Sequence, residues 1–371
     1  MLIVEGELHM RVGIVTIMDY TNYGNRLQNY ALFRLLKDEY KCKVITLTSL
    51  DLKPFYNGDF IVWFKSQIIK HMCGIFPQTV EKRFGPKVTR WANFQKWNKR
   101  IPTKNFYKSK ELPVSLNNIY DYFFVGSDQV WNYQFSSSRF KDFFLSFADP
   151  DKKIAISASF GISEIPDEWK KIYIEGLSDF SNISVREDAG QKIVKDLLGK
   201  DVPVLIDPVM MLSKKEWMKV AKRPRVDYSK PYVLKYYLGE ESEAEKIDRW
   251  AEKNGYKVYE LLNEDNPDLY SAGPGEFISL ISHASLVCSD SFHCITFSII
   301  FSKPFIVYDR QGKDTGMSSR LDTLLDKFGF QNRWKHLLDE KDYLLCNYES
   351  VDKIMEMEQQ NFHNYVISII N

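Results

Sequence analysis

Short apolar runs rich in β-branched residues recur along this chain, and polar turns followed by apolar residues at helical spacing come after them. The first unit comprises a strand-like run at 11–17, a polar loop at 19–25 and a helical pattern at 26–38. Strands that alternate with helices in this way are typical of α/β domains with parallel sheets. The pattern therefore predicts an α/β fold.

The alternation forms two series that meet at Asp207-Pro208, a dipeptide that favours a turn. We predict an N-terminal Rossmann-like domain at 11–207 and a C-terminal one at 208–345, because 371 residues are long for a single core. A C-terminal helix at 346–371 follows, and it could pack back on the first domain. Two such domains facing a cleft form a GT-B-like architecture, which by itself names no reaction. The predicted strands are 11–17, 43–48, 121–125, 153–161, 183–185, 232–237, 257–259, 285–288 and 304–308.

One segment, 53–106, departs from this alternation. Between Asp59 and Arg100 it has nine Lys or Arg residues against two acids, and large aromatic residues lie among the basic ones. A basic and aromatic helical insertion can lie on an anionic membrane surface or hold a lipid-linked substrate, and we expect peripheral membrane contact at 60–100 on that interpretation. The alternative is an amphipathic lid whose aromatic face packs on the domain, which is the more common role of such a pattern.

The most informative stretch is 286–301, in which an apolar run is followed by Ser289-Asp290-Ser291-Phe292-His293 and a second apolar run. This pattern predicts a buried strand, a turn capped by Ser289 or Ser291, and a helix with His293 in its first turn. The free N–H groups of that turn favour an anion, and an imidazole can exchange a proton near neutral pH. A histidine that only packs or caps is the alternative.

Two further strand ends have polar residues. The run 121–125 ends in Gly126-Ser127-Asp128-Gln129-Val130-Trp131-Asn132, where more hydrogen-bonding side chains occur than a turn requires. Arg186 follows the strand 183–185, and its planar guanidinium matches a phosphate or a carboxylate. The alternatives are a simple turn in the first case and a structural salt bridge in the second.

Composition narrows the function classes. The 50 Lys and Arg residues nearly cancel the 49 Asp and Glu residues, so global charge gives no indication of nucleic-acid binding. The five cysteines form no CxxC pair, and their scatter fits reduced thiols rather than a disulfide framework or a zinc site. Residues 1–10 are interrupted by acids and lack a basic region followed by a long apolar core, so we expect no signal peptide there. No apolar stretch of about 18 residues that would span a membrane occurs in the sequence. We expect a cytoplasmic protein, with the inner face of the membrane as the alternative location.

Taken in order, the motifs resemble those of the polysaccharide pyruvyl transferase family from residue 11 to about residue 330. The motifs that carry the resemblance are Asn22-Tyr23-Gly24-Asn25 with Leu27-Gln28 and Ala31-Leu32, the stretch 126–132, Ser184-Val185-Arg186-Glu187, Asp207-Pro208 and Ser289-Asp290-Ser291-Phe292-His293. The resemblance implies a GT-B-like enzyme that takes phosphoenolpyruvate and forms a pyruvyl ketal on a hexose of a surface polysaccharide or its lipid-linked precursor.

The resemblance also suggests roles for individual residues. His293 matches the motif histidine and is the candidate acid/base, with Asp128 as the fallback base. Ser291 departs from the family, because many members have arginine there, and Arg320 or Lys235 is a candidate to replace that cation. We expect the donor to contact Arg186, Ser289, Ser291, Arg320 and Lys235. We expect the acceptor to contact Gly24, Asn25, Gln28, Ser127, Gln129 and Asn132.

The chemistry requires no cofactor beyond the donor substrate, and the sequence contains no spacing that demands a metal. Two other functions stay open at this point. A nucleotide-sugar glycosyltransferase would have the same architecture, and a non-catalytic sugar- or anion-binding protein would explain Ser291. Neither the acceptor sugar nor the oligomeric state follows from the sequence.

Overall fold

The structure, a computed structural model, describes residues 9–19, 21–50, 68, 71–72, 75, 85–239, 244–310 and 318–370. Within these residues the chain forms two β-sheets in which all strand pairs are parallel. The strands are β1 (Arg11–Val15), β2 (Lys43–Thr48), β3 (Thr103–Asn105), β4 (Tyr122–Gly126), β5 (Lys153–Ala158), β6 (Asn182–Val185), β7 (Tyr232–Tyr236), β8 (Lys257–Glu260), β9 (Leu286–Ser289) and β10 (Phe305–Val307). The predicted α/β class is confirmed, while the domain boundaries and the cleft between domains stay predictions.

Helices connect most of the strands, as parallel pairing requires. They are α1 (Tyr23–Asp38), α2 (Pro86–Asn98), α3 (Tyr133–Ser136), α4 (Phe140–Phe143), α5 (Asp167–Ser178), α6 (Asp188–Leu198), α7 (Lys214–Val220), α8 (Ala244–Lys253), α9 (Pro267–Tyr270), α10 (Pro274–His283), α11 (Phe292–Ile300), α12 (Ser319–Phe328) and α13 (Val351–Ile370). The central strands β5, β7 and β9 are buried along their whole length, so their apolar runs do not alternate.

The strand order places a ligand-binding crevice in each sheet. The six-stranded sheet has the order β3-β2-β1-β4-β5-β6, and the four-stranded sheet has the order β10-β9-β7-β8. The order therefore reverses between β1 and β4 in the first sheet and between β7 and β9 in the second. In open α/β sheets, ligands bind outside the carboxyl ends of the strands at such switch points. The loops after these four strands are consequently the first place to look for a site.

Two local features of the structure were not predicted from the sequence. The run 204–206 forms only a single parallel bridge, between Val204 and Val185, because the chain turns at Asp207 into the short 3₁₀ helix Pro208–Met211. The edge strand β3, which pairs with β2, was not predicted. Its residues Thr103, Lys104 and Asn105 are mostly exposed and polar, so no apolar pattern indicates a strand there.

The two sheets share a continuous apolar contact through α1, α10 and α11. Tyr23 on α1 stacks on Phe277 of α10 with ring centroids 4.4 Å apart, and its hydroxyl donates to the carbonyl of Ala272. Arg90 of α2 covers the Tyr23 ring and donates hydrogen bonds to the carbonyls of Thr21 and Tyr270. The described end of the predicted insertion therefore packs across both halves of the chain.

Most of the predicted basic and aromatic insertion lies outside the described residues. In α2, the side chains of Phe94 and Trp97 are buried in the main core, as the amphipathic-lid interpretation expects of this part. Membrane contact through 60–100 stays a prediction. Among the helices that the structure describes, none combines the length and the apolar character needed to cross a membrane.

The C-terminal helix α13 packs against elements of the first half of the chain. The hydroxyl of Tyr365 donates to the carbonyl of Ala155 in β5, and Tyr40 and His363 form a hydrogen bond at 2.6 Å. Phe362 is fully buried in the core that joins the two sheets. Apolar side chains of helix α13 are therefore buried in the same core as Val12 of strand β1.

Truncating this contact tests its contribution to stability. We expect Phe362→Ala to lower the free energy of unfolding by about 3–5 kcal/mol, because it leaves a cavity in a closed core. Urea denaturation followed by tryptophan fluorescence measures the difference. Met357→Ala on the same helix is the matched control, since that side chain is 55% exposed, and we expect a change within about 0.5 kcal/mol. Equal effects of the two substitutions would contradict the packing of α13.

Candidate functional site

A pocket of about 340 Å³ lies at the switch points of both sheets. Its size is within the range typical of small-molecule sites, about 300–1,000 Å³. The first sheet and its helices contribute Ile17, Asp19, Asn22, Asn25, Asp128, Gln129 and Phe135. The second sheet and its helices contribute Leu238, Ser291, Phe292, His293, Arg310 and Arg320. The pocket therefore combines residues from distant parts of the sequence.

Asp207 is the buried carboxylate around which the site is built. Its Oδ2 atom accepts hydrogen bonds from Ser127 Oγ at 2.8 Å and from an Arg186 guanidinium nitrogen at 2.5 Å, and it lies 3.5 Å from His293 Nε2. Burial alone would raise the pKa of Asp207, but the contacts with His293 and Arg186 and the backbone N–H of Val209 hold the pKa well below its ordinary value. Asp207 is therefore ionised. Its contacts bring together the three predicted motifs that contain Ser127, Arg186 and His293.

Asp128 is the second buried carboxylate, and it lines the pocket. It accepts a hydrogen bond from the Asn25 amide, and its Oδ1 lies 3.6 Å from an Arg186 guanidinium nitrogen. Burial would raise the pKa of Asp128, yet the charges of His293, Arg186 and Arg320 together lower it. Its backbone has φ +59°, in the left-handed region that Asp tolerates better than most residues. Asp128 is therefore an ionised acceptor rather than a strong base.

His293 lies in the first turn of α11, as predicted, and lines the pocket. Gly24 of α1 makes room for it, because a Cβ atom at Gly24 would overlap the imidazole at Nδ1. Asp207 lies on the Nε2 side of the ring. The imidazole is thus held between a helix of the first half and a carboxylate, which fixes its orientation for proton transfer.

Two arginines provide the cationic wall of the pocket. Arg310 follows β10 and bonds to Asp290, which also accepts the backbone N–H groups of Leu238 and Gly239 at 2.8 Å each. Arg320 is buried on α12, and burial together with the charges of Arg186 and Arg310 lowers its pKa to about 9. Cations that repel one another in a buried pocket favour the entry of an anion.

The predicted donor residues separate into two groups. Arg320 and Ser291 line the pocket, whereas Arg186 lies behind Phe292, with its guanidinium carbon 4.2 Å from the centre of that ring. Ser289 is a structural residue, because its hydroxyl donates to the carbonyl of Tyr236 and accepts the N–H of Ser291. Ser291 occupies the N-cap position of α11 without a capping hydrogen bond from its side chain.

The proposed role of Lys235 as a donor ligand requires a correction. Lys235 is buried in β7, where its ammonium lies 3.1 Å from Asp248 and 3.7 Å from Glu260. Side chains alternate between the two faces of a strand. Tyr232, Leu234 and Tyr236 point into the main core, so Lys235 points to the other face, away from the pocket lining. Lys235 therefore does not replace the missing arginine.

Of the predicted acceptor residues, Asn25 and Gln129 line the pocket. The other four support it from behind. Gln28 donates to Thr16 and accepts the N–H of Ser127, and the Ser127 hydroxyl is used by Asp207. Asn132 caps α3 by accepting the N–H of Gln134, while Gly24 makes room for His293. These residues shape the site without facing the pocket.

Seven pocket residues were not predicted as site residues, namely Ile17, Asp19, Asn22, Phe135, Leu238, Phe292 and Arg310. Asp19 and Asn22 follow β1, and Arg310 follows β10, so each lies just beyond the carboxyl end of a strand. That position is the sequence signal that could have identified them. Phe135 has no such signal, because its place depends on the turn after β4. No group of three or more potential metal ligands occurs within the described part of the chain.

The comparisons with known proteins bear on this site. A family model described as polysaccharide pyruvyl transferase matches residues 22–312. A comparison with curated proteins returned no match. Among solved structures, a UDP-GlcNAc 2-epimerase from Neisseria meningitidis bound to UDP-GlcNAc is 10% identical, with 97% of this chain and 99% of that chain covered at a TM-score of 0.45.

Two other solved structures give similar values. An uncharacterized protein from Klebsiella pneumoniae is 10% identical over 88% of this chain and 90% of that chain, with a TM-score of 0.44. The Escherichia coli heptosyltransferase WaaC is 9% identical over 86% of this chain and 99% of that chain, with a TM-score of 0.34. At these TM-scores the similarities support no inference about this chain.

Removing the Asp207 charge tests its role as the structural centre of the site. We expect Asp207→Asn to lower the free energy of unfolding by about 3–5 kcal/mol at pH 7, because Arg186 loses its closest buried counterion. Because the folded-state pKa is lowered, this stabilisation is present above about pH 4 and is lost as the pH falls through the folded-state value. Urea titrations at several pH values measure both effects.

The control for this substitution is Asp201→Asn, which removes an exposed partner of Lys195 and should change stability by less than about 0.5 kcal/mol. A difference between wild type and Asp207→Asn that stays constant from pH 7 to below pH 4 would contradict the assignment.

Filling the space at Gly24 tests the placement of the imidazole. We expect Gly24→Ala to displace the His293 ring, because the new methyl group would occupy its position. A ¹H–¹³C correlation spectrum of the imidazole Hε1 groups measures the shift, with His293→Gln as the assignment variant. The signal of His336, an exposed histidine that pairs with Asp309, is the internal control and should not move. An unchanged His293 signal would refute the contact.

Proposed function

This chain belongs to the polysaccharide pyruvyl transferase family, whose model covers residues 22–312, and on that basis we propose a specific reaction for the pocket. The protein transfers the enolpyruvyl carbons of phosphoenolpyruvate to a hexose of a surface polysaccharide or its precursor and releases phosphate. The product is a pyruvyl ketal. The observation that carries the proposal is the meeting of His293, Asp128 and Arg320 in one pocket.

The proposed reaction balances without a redox partner. One sugar hydroxyl adds to the central carbon of phosphoenolpyruvate while a proton adds to the methylene carbon, which becomes a methyl group. A second hydroxyl of the same sugar then bonds to the central carbon. At the same time, the bond between that carbon and the oxygen of the phosphate group breaks. The proton of the second hydroxyl leaves with the phosphate. The pocket therefore has to hold an anion and transfer protons, and no metal or organic cofactor enters these steps.

We assign the donor to the cationic wall. Arg310 and Arg320 present two guanidinium groups to an anion, and the free N–H groups at the start of α11 add partial positive charge. Burial, together with repulsion by Arg186 and Arg310, lowers the pKa of Arg320 to about 9, and an incoming phosphate or carboxylate would offset both effects. Arg320 then supplies the positive charge that Ser291 lacks. In this assignment Arg186 balances Asp207 and Asp128 and positions Phe292 rather than contacting the donor.

His293 is the proposed acid/base group. It lies between the two walls, and Asp207 at 3.5 Å can stabilise the imidazolium that forms when the ring accepts a hydroxyl proton. Asp128 is ionised beside it, so its proposed role is to accept a hydrogen bond from the sugar. We propose a cytoplasmic reaction at the inner face of the membrane, on a lipid-linked acceptor held near residues 60–100.

Replacing His293 tests the assignment. We expect His293→Gln to lower the rate of phosphate release from phosphoenolpyruvate by about 10²–10⁴-fold in the presence of an accepted hexoside, because the general acid/base is lost. A coupled phosphate assay with a panel of free and lipid-linked hexosides measures the rate. His336→Ala is the control, since that histidine is exposed and does not line the pocket, and we expect its rate to match wild type.

The same assay separates the competing functions. Phosphate release by His293→Gln at the wild-type rate would make the His293 assignment wrong and leave Asp128 as the base to test. Turnover of a nucleotide sugar without use of phosphoenolpyruvate would favour a glycosyltransferase. Binding of phosphoenolpyruvate without phosphate release for any acceptor would favour a non-catalytic binding protein, the function that Ser291 first suggested.

A further inference from the structure

One aromatic ring in the pocket has no part in the chemistry described so far. Phe135 on α3 lines the pocket and is 49% exposed. Among the residues that the structure describes, its ring stacks on no other aromatic ring, whereas the neighbouring Tyr133 stacks on Trp169 with centroids 5.5 Å apart. The Phe135 ring is therefore accessible to a ligand that enters the pocket.

The backbone under this ring is fixed by the turn after β4. The N–H groups of Phe135 and Ser136 donate to the carbonyl of Asn132 at 3.2 and 2.8 Å, and the Asn132 amide oxygen caps the same turn. The Ser136 hydroxyl donates to the carbonyl of Gln129 at 3.0 Å. A ring held on a fixed turn loses little conformational entropy when it binds a ligand. Asn132 therefore supports the turn that carries Phe135 without facing the pocket.

The pocket walls also differ in charge. The wall that contains Phe135 presents the carboxylates of Asp19 and Asp128 together with side-chain amides, whereas the opposite wall presents Arg310 and Arg320. Carboxylates repel an anionic donor but accept hydrogen bonds from hydroxyl groups. The Phe135 wall is therefore suited to a neutral, hydroxyl-rich ligand.

We propose that Phe135, Asp19 and Gln129 form the acceptor subsite and that its ligand is a hexopyranose. Such a sugar has C–H groups on a face that can stack on an aromatic ring, while its hydroxyl groups project from the edge toward polar side chains. Asp19 is oriented by hydrogen bonds from Thr21, and Gln129 packs against Gly161, where any Cβ atom would overlap its amide. The inference deepens the proposed function and rests on it for the identity of the donor.

Sugar binding without the donor tests this inference directly. We expect saturation-transfer NMR of the full chain with methyl β-D-galactopyranoside and methyl β-D-glucopyranoside to show transfer to the C–H protons of at least one of them. Phe135→Ala should raise the Kd for the glycoside by about tenfold. Phe135→Tyr should retain binding, because the tyrosine keeps the stacking surface. Val114→Ala, at a residue 68% exposed, is the matched control and should bind as wild type does.

Three outcomes would overturn the acceptor subsite. They are the absence of transfer to both glycosides in wild type, a wild-type Kd in Phe135→Ala, and Phe135-dependent binding of UDP in place of either glycoside. In the phosphate-release assay, Phe135→Ala should raise the KM for the hexoside and leave the KM for phosphoenolpyruvate unchanged. If the glycosides bind through Phe135 but wild type never releases phosphate, the proposed reaction fails while the sugar subsite stands.

Discussion

The site depends on one buried carboxylate. Asp207 follows the last bridge of the first sheet, and its Oδ2 atom accepts hydrogen bonds from Ser127 and Arg186 and lies near His293 of the second sheet. A buried anion is stable only with compensating charge and hydrogen bonds, so these three partners are held at defined positions around it. The cluster thus connects Ser127 and Arg186, which follow strands of the first sheet, with His293, which follows a strand of the second.

Around that centre, the charges are separated across the pocket. Asp19 and Asp128 lie on the wall from the first sheet, and Arg310 and Arg320 lie on the wall from the second. Asp128 and Arg320 are buried, so water screens their charges only weakly. In the proposed assignment, this separation directs an anionic donor and a neutral sugar to different walls of the pocket. The stacking of Tyr23 on Phe277 adds an apolar contact between the elements that form the two walls.

Much of the fold could be predicted from the sequence, because apolar periodicity and turn residues act locally. The strand-turn-helix around His293 and the polar turn at Asp128 are examples, and both residues line the pocket. The roles within the site were less predictable. Lys235 has the charge of a donor ligand but the strand register points it toward Asp248, and Arg186 is used by the two buried carboxylates. Neither register nor pairing over long sequence distances can be read from local pattern.

The sequence by itself determined the α/β class, the order of most strands and helices along the chain, and the motifs that identify the family. Only the tertiary structure decided which polar residues face the pocket. Arg320 and Phe135 both line the pocket, although α12 and the turn after β4 are far apart in the sequence. The cation that many family members have at the position of Ser291 is likewise a matter of tertiary structure, since a charge needed at one point in space can come from any segment that reaches it.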